Sequence, residues 1–198
     1  NNHVILVLME GMSAKVMRTF GYPKDITPFL DSIYAKSLSY SNFYSAGVIT
    51  QKGMCATFSS APTFAHFHSM EKIPRRRTVI STAYRHEGYT TQLFIPHAPS
   101  FDNVFGFFAA NPFEFQYCEE DYPEKFKSMG WGAPDEYLFR YAFNKTDSLV
   151  ASGVKKTLSV IYGCSNHPPY TIPKEYYKKE YSEEEAAVSY ADTQLKML

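Results

Sequence analysis

The run His3-Val4-Ile5-Leu6-Val7-Leu8-Met9, closed by Glu10-Gly11, decides the fold class. Its apolar side chains do not alternate with polar ones, which suits a strand covered on both faces, and such strands belong to parallel sheets. A central, fully buried strand is therefore expected here. Glu10 then stands at the carboxyl end of that strand before a glycine turn, where open α/β sheets receive their ligands. The same carboxylate could instead cap a helix over residues 13–20.

Working outward, Thr27-Pro28-Phe29-Leu30-Asp31-Ser32-Ile33-Tyr34-Ala35 reads as a helix. Thr27 is the expected N-cap, Pro28 lies in the first turn, and Phe29, Leu30, Ile33 and Tyr34 share one face. Residues 39–44, Ser-Tyr-Ser-Asn-Phe-Tyr, alternate aromatic and polar side chains, which predicts a strand and completes a βαβ unit. Its exit runs through Ala46-Gly47-Val48-Ile49-Thr50-Gln51-Lys52-Gly53-Met54 into a helix expected over 52–60. A hydroxyl at such a junction lies near unpaired N–H groups and the positive end of a helix dipole. Thr50 is thus placed to attack a phosphorus centre and hold the resulting anion, or simply to cap the helix.

Further along, residues 75–86 predict a helix that begins on three arginines, and residues 90–95 a strand that leaves through Pro96-His97-Ala98-Pro99-Ser100. A helix over 101–111, a short strand over 113–117 and an amphipathic helix over 134–145 follow. The last of these turns Tyr137, Leu138, Tyr141 and Ala142 inward. Residues 157–162 form another strand, ending in Gly163-Cys164-Ser165-Asn166-His167-Pro168-Pro169-Tyr170. His66 and His68 have a spacing compatible with a metal but no third ligand nearby. Strands alternating with helices predict an α/β fold: a mostly parallel central sheet with helices on both faces.

Composition narrows the function classes. Lys and Arg number 20 against 20 Asp and Glu, so no basic surface argues for nucleic acid. No run of 18 apolar residues could span a bilayer. Cys55, Cys118 and Cys164 are odd in number and lack zinc spacing, which argues against a disulfide framework or a metal knuckle. The sequence opens without Met, directly into a strand, and closes on a helical pattern over 187–198, so a portion of a longer protein is expected, incomplete at its C-terminus.

Glu10, Thr50, His97 and His167 all stand at strand ends, and together they predict a site on the carboxyl edge of one sheet. Four stretches resemble the sulfatase-like phosphotransferases of the alkaline phosphatase superfamily, in the branch of lipoteichoic acid synthase and phosphoglycerol transferases. They are Glu10-Gly11-Met12-Ser13, Ile26-Thr27-Pro28-Phe29-Leu30-Asp31, Ser41-Asn42-Phe43-Tyr44-Ser45-Ala46-Gly47 and Ser165-Asn166-His167-Pro168-Pro169-Tyr170. Ser100-Phe101-Asp102-Asn103 and Trp131-Gly132-Ala133-Pro134-Asp135-Glu136 are similar to that branch too, and the order of all six is the family's.

The resemblance implies a membrane-anchored enzyme with its catalytic domain outside the cytoplasm and its membrane segments outside this chain. It implies that Glu10 and Thr50 hold one divalent cation, Mn²⁺ foremost with Mg²⁺ or Zn²⁺ as alternatives, and that Thr50 is also the nucleophile. His97 and His167 match positions that gather the phosphate and headgroup, where they could donate to its oxygens; Asp102 and Asn103 line the same pocket or, for Asp102, cap a helix. The expected reaction moves a phosphoglycerol- or phosphoethanolamine-type group from a phospholipid donor, through a phosphothreonine, to a glycan, lipid or polymer. A phosphodiesterase or sulfatase-type hydrolase and a non-catalytic binding domain are the alternatives.

Two departures from the family stand out. Its metal site is completed by an Asp-His pair, and no Asp-His occurs here; truncation is the expected reason. Asp102 and Val104 stand where lipoteichoic acid synthase has tryptophan and arginine, and His97 where it has aspartate, so the substrate does not carry over. Formylglycine sulfatases are disfavoured, because neither a cysteine nor a serine stands in a Cys/Ser-x-Pro-x-Arg arrangement.

Overall fold

The computed structural model describes residues 2–61, 78–111, 113–127 and 131–198. Four parallel strands form its sheet: β1 (His3–Leu8), β2 (Thr90–Phe94), β3 (Phe115–Tyr117) and β4 (Thr157–Tyr162), in the order β1-β4-β2-β3. The helices are α1 (Pro28–Lys36), α2 (Thr50–Ser59), α3 (Ile80–His86), α4 (Val104–Ala110), α5 (Asp135–Ala151) and α6 (Glu183–Leu195). The α/β class and the parallel sheet agree with expectation.

Alternation along β4 separates two cores. Leu158, Val160 and Tyr162 face Met54, Cys55 and Phe58 of α2 together with Phe107 and Phe108 of α4. Ile161 faces the other way, onto Leu138, Phe139 and Ala142 of α5. All six residues of β4 are buried, so β4 holds the central place predicted for β1. Among the described residues β1 pairs with β4 alone, and its Ile5 is 42 % exposed. An apolar run reports how well a strand's two faces are covered. It carries no information on whether both backbone edges are paired.

The predicted strand at 39–44 is absent. That segment is irregular and exposed, with Tyr40 at 66 %, Phe43 at 82 % and Tyr44 at 81 % exposure, so the expected βαβ unit does not form there. Aromatic alternation predicts a strand only where a neighbouring strand offers a ladder, and among the described residues none lies beside it. Residues 13–20 form two short 3₁₀ turns, Ala14–Val16 and Arg18–Phe20, in place of the expected helix. Gly21 ends the second turn at φ +95°. His66, His68 and the three arginines at 75–77 lie outside the described residues.

The start of α1 shows how a distant residue supplies a cap. Thr27 occupies the N-cap position but its side chain makes no capping hydrogen bond. The amides of Phe29 and Leu30 donate instead to the buried Asp192 carboxylate on α6, at 3.0 and 2.8 Å. A carboxylate facing a helix N-terminus satisfies orphan N–H groups and the dipole together. No residue of α1 is fully buried, and Ile33 is 38 % exposed, so this contact carries much of the attachment expected from the apolar face. Asp192→Ala is expected to lower unfolding free energy by about 2 kcal/mol in urea denaturation, with the fold retained.

Candidate active site

The carboxyl ends of β1, β2 and β4 converge, as the topology requires, and Glu10 is the second residue beyond β1. Thr50 opens α2 across from it, and its hydroxyl donates to Glu10 Oε2 at 2.9 Å. The Tyr162 hydroxyl, from the last residue of β4, donates to the same oxygen. Both capping alternatives fall away. Ser13 caps the 3₁₀ turn after Glu10, and Ile49 holds the N-cap position of α2 with Thr50 as its first helical residue. Close approach of two strand exits is permitted by Gly11, at φ +60°: a Cβ there would lie 2.9 Å from the Asn166 carbonyl oxygen. Asn166 Nδ2 donates to the Glu10 carbonyl oxygen at 3.3 Å, tying the β4 exit to the β1 exit.

Tyr162 was not singled out by sequence reasoning. The signal available was its position, since alternation with Leu158 and Val160 places it on the α2 face at the strand's last residue. Burial pushes its phenol well above the ordinary range, so it stays protonated and serves as a donor.

His97 lies three residues beyond the end of β2 and is 4 % exposed. Its ring stacks on Phe101, with centroids 4.1 Å apart, and lies 5.6 Å from the Tyr162 ring, which links it to the Glu10–Thr50 pair. Nδ1 is hydrogen-bonded to the Trp131 carbonyl oxygen, which can only accept, so Nδ1 carries the proton and Nε2 holds a lone pair. Nε2 is buried and has no hydrogen-bond partner among the described residues. A neutral His97 therefore presents an acceptor, whereas donation to phosphate oxygens was expected. Gly132, at φ +132°, makes this arrangement possible, because a Cβ would meet the Pro96 carbonyl oxygen at 2.4 Å.

Burial pushes the His97 pKa down to about 4. The unfolded chain, with an ordinary imidazole near 6.5, binds the proton first as pH falls. The His97 contribution to stability is thus fully present above about pH 6.5 and is lost between about 6.5 and 4, on the order of 3 kcal/mol in total. His97→Phe should flatten that part of the urea stability–pH curve.

His167 lies on the loop after β4, with Nδ1 2.6 Å from the Pro168 carbonyl oxygen and its ring 4.2 Å from that of Trp131. Trp131 therefore touches both histidines: its carbonyl holds His97 and its indole packs on His167. The loop itself is held by Asp135, a fully buried carboxylate that accepts from the Cys164 amide at 2.8 Å and the Ser165 amide at 3.2 Å. Ser165 Oγ in turn accepts from the Asp135 amide at 2.9 Å. Burial raises the Asp135 pKa against these hydrogen bonds, which lower it. Asp135 figured in sequence reading only as part of a quoted motif, since nothing local says which loop a helix-starting aspartate will reach.

Asp102 and Asn103 sit in the turn Phe101–Asn103 at φ 50° and 52°. Asp102 is exposed and makes no capping hydrogen bond, and Asn103 takes the N-cap position of α4. The Asn103 side chain folds back over its own helix, where a Cβ on Gly106 would meet its Oδ1 at 2.1 Å. A cavity of about 500 Å³ opens beside His97, bordered by Phe101, Glu119, Trp131, Gly132 and Pro169; neither Asp102 nor Asn103 lines it.

Glu10 and Thr50 offer two hard oxygen donors within hydrogen-bond distance of each other, a set compatible with Mn²⁺, Mg²⁺ or Zn²⁺. Among the described residues no group of three His, Cys, Asp or Glu side chains adds to them.

A parallel α/β sheet with an oxygen-rich pair on its carboxyl edge is the alkaline-phosphatase-superfamily arrangement, and comparison with solved structures agrees. The chain matches an alkaline phosphatase superfamily protein from Vibrio parahaemolyticus with TM-score 0.87 and 26% identity, over 99% of this chain and 49% of that one. The lipoteichoic acid synthase LtaP from Listeria monocytogenes gives TM-score 0.87 and 20% identity, over 99% and 50%. The C-terminal periplasmic domain of the phosphoethanolamine transferase EptC from Campylobacter jejuni gives 0.67 and 14%, over 99% and 62%. That of EcEptC from Escherichia coli, in a complex with Zn, gives 0.72 and 14%, over 98% and 57%. The sulfatase family model matches residues 2–197, and the chain belongs to the sulfatase family. It spans about half the length of the first two relatives.

Proposed function

We propose that residues 1–198 are the N-terminal portion of the catalytic domain of a metal-dependent phosphotransferase that works outside the cytoplasm, anchored through segments beyond this chain. The observation that carries this reading is the Thr50–Glu10 hydrogen bond of 2.9 Å, made by the first residue of a ten-residue helix at the edge of a parallel sheet. Thr50 Oγ attacks the phosphorus of a phospholipid headgroup, the bond to the lipid oxygen breaks, and that oxygen leaves with a proton. An acceptor hydroxyl on a glycan, lipid or polymer then displaces Thr50 from the phosphothreonine. A cation held by Glu10 and Thr50, when bound, lowers the hydroxyl pKa and neutralises charge on the phosphoryl oxygens. Glu10 Oε2 receives the Thr50 hydrogen bond, and the His97 Nε2 lone pair is available to take the proton of the incoming hydroxyl.

Incubating the full-length enzyme with phosphatidylethanolamine or phosphatidylglycerol, quenching and mapping peptides by mass spectrometry tests the reading. A phospho-adduct on Thr50 supports it; an adduct elsewhere overturns it. Tyr162 is assigned to orientation of Glu10, because its hydroxyl fixes the oxygen that Thr50 also engages. Tyr162→Phe keeps the ring and removes the hydrogen bond, and is expected to weaken cation binding in calorimetry by about tenfold, as outer-sphere partners of metal ligands do.

A further inference from the structure

We infer that the open edge of β1 and residues 38–45 form one docking face for the remainder of the catalytic domain, which pairs with β1 and takes residues 38–45 into the sheet as a further strand. This rests on the reading of residues 1–198 as the N-terminal portion of that domain. The edge follows from the strand register. The carbonyl oxygens of Asn2 and Leu8 accept from the amides of Thr157 and Gly163, at 3.1 and 3.0 Å. In a strand each residue points its N–H and C=O to one side, and its neighbours point theirs to the other. Even-numbered residues of β1 therefore bond to β4. His3, Ile5 and Val7 turn their backbone groups to the opposite edge, where no strand stands among the described residues.

Residues 38–45 carry the matching signal. Leu38, Tyr40 and Tyr44 recur at even positions and Ser39, Ser41 and Ser45 at odd ones, the period of a half-buried strand, with Asn42 and Phe43 as the exceptions. Yet no backbone hydrogen bond joins residues 39–44 to another segment among the described residues, and Leu38 is 84 % exposed. The hydroxyls of Ser39 and Ser45 reach only Tyr34, Ser37 and Gly47. Val48, 96 % exposed, carries the apolar surface on to the start of α2. Exposed apolar side chains beside unpaired backbone mark an interface. Residues 45–47 lie against the first turn of α2, since a Cβ on Gly47 would stand 2.5 Å from Lys52 Cβ. Thr50 in that turn reaches Glu10 just past β1, so both parts of the face border the candidate site.

Backbone chemistry selects the occupant. Unpaired N–H and C=O groups leave water only for donors and acceptors, which another strand supplies and lipid hydrocarbon does not. The chain spans about half the length of the first two relatives, so those proteins hold about as much chain again from which such a strand could come. A strand on the same polypeptide meets the edge at the high effective concentration of a tether, an advantage that a second copy lacks.

Hydrogen exchange on the full-length enzyme, resolved to single amides by mass spectrometry, tests this. The amides of Ile5 and Val7, and alternate amides within 39–45, should exchange about a hundredfold or more slowly than in an unstructured peptide. Exchange within about threefold of the unstructured rate at either place would overturn the docking face. Protection should be the same across a hundredfold range of enzyme concentration (on the order of 0.1–10 μM), and the same in detergent as in phosphatidylglycerol vesicles. Protection that grows with concentration assigns the face to a second copy, and protection confined to vesicles assigns it to lipid; each overturns the inference. A benzophenone side chain in place of Tyr40 should cross-link to residues beyond Leu198 of the same molecule, and cross-links only within residues 1–198 would overturn it too. A Thr50 adduct together with free exchange at the face leaves the phosphotransferase standing and the docking face overturned. Protection without a Thr50 adduct from phosphatidylethanolamine or phosphatidylglycerol does the reverse.

Discussion

Thr50→Ala in the full-length enzyme is expected to lower turnover by about three orders of magnitude or more, with the fold intact. The substitution removes the atom that forms the covalent bond, and the loss of a nucleophile is of that size or larger. The structural cost is small by comparison. Thr50 is not the N-cap of α2, so what disappears is one hydrogen bond to Glu10, worth about 1 kcal/mol. Thr50→Ser keeps a hydroxyl at the same helix position and should retain part of the activity. Its freer χ1 lowers the fraction of time the oxygen points at Glu10. Turnover of labelled phospholipid and urea denaturation on the same three proteins separate the roles. An alanine variant with near-normal turnover would leave the Thr50 junction as scaffold.

Glu10→Gln is the second large effect. A neutral amide of the same shape fills the same space, yet loses the charge that balances a divalent cation. Metal affinity measured by calorimetry should fall by about a hundredfold, and turnover at limiting metal should fall with it. The amide also changes the local hydrogen bonding. Its oxygen can still accept from Thr50 and Tyr162, so thermal stability without metal should move little. Unchanged metal affinity would return Glu10 to a purely structural role, as the acceptor that draws α2 and β4 together. The contrast with Tyr162→Phe is informative, since that variant perturbs the same carboxylate without touching its charge.

The Asp135 and Asp192 carboxylates illustrate a shared device. Each is buried, and each accepts two backbone amides from a segment far away in sequence. Asp192 fastens α1 to α6. Asp135 fastens the loop that bears His167 to the start of α5. Buried carboxylates tolerate such sites because backbone N–H groups stabilise the charged form against the cost of desolvation. In both cases the partner amides were invisible in the sequence, because any residue but proline supplies one.

Much of the architecture was legible from short-range pattern. The apolar runs at 3–8 and 157–162 marked strands, and the Thr27-Pro28 pair marked the start of a helix. Polar residues at strand exits pointed to one edge of one sheet, and the structure brings Glu10, Thr50 and His97 there, joined through Tyr162. These features are local: a strand's faces, a helix's cap and a turn are written in neighbours a few residues apart. The order of strands was not legible, and β4 rather than β1 proved central. Nor was the fate of residues 39–44, whose alternation suited a ladder that the described neighbours do not provide. The His97 tautomer, the convergence of two hydroxyls on Glu10 Oε2 and the carboxylate in the cavity wall were decided by tertiary structure alone. Each depends on which backbone carbonyl or side chain arrives from a segment tens of residues away, and that is set by packing of whole elements rather than by any local preference.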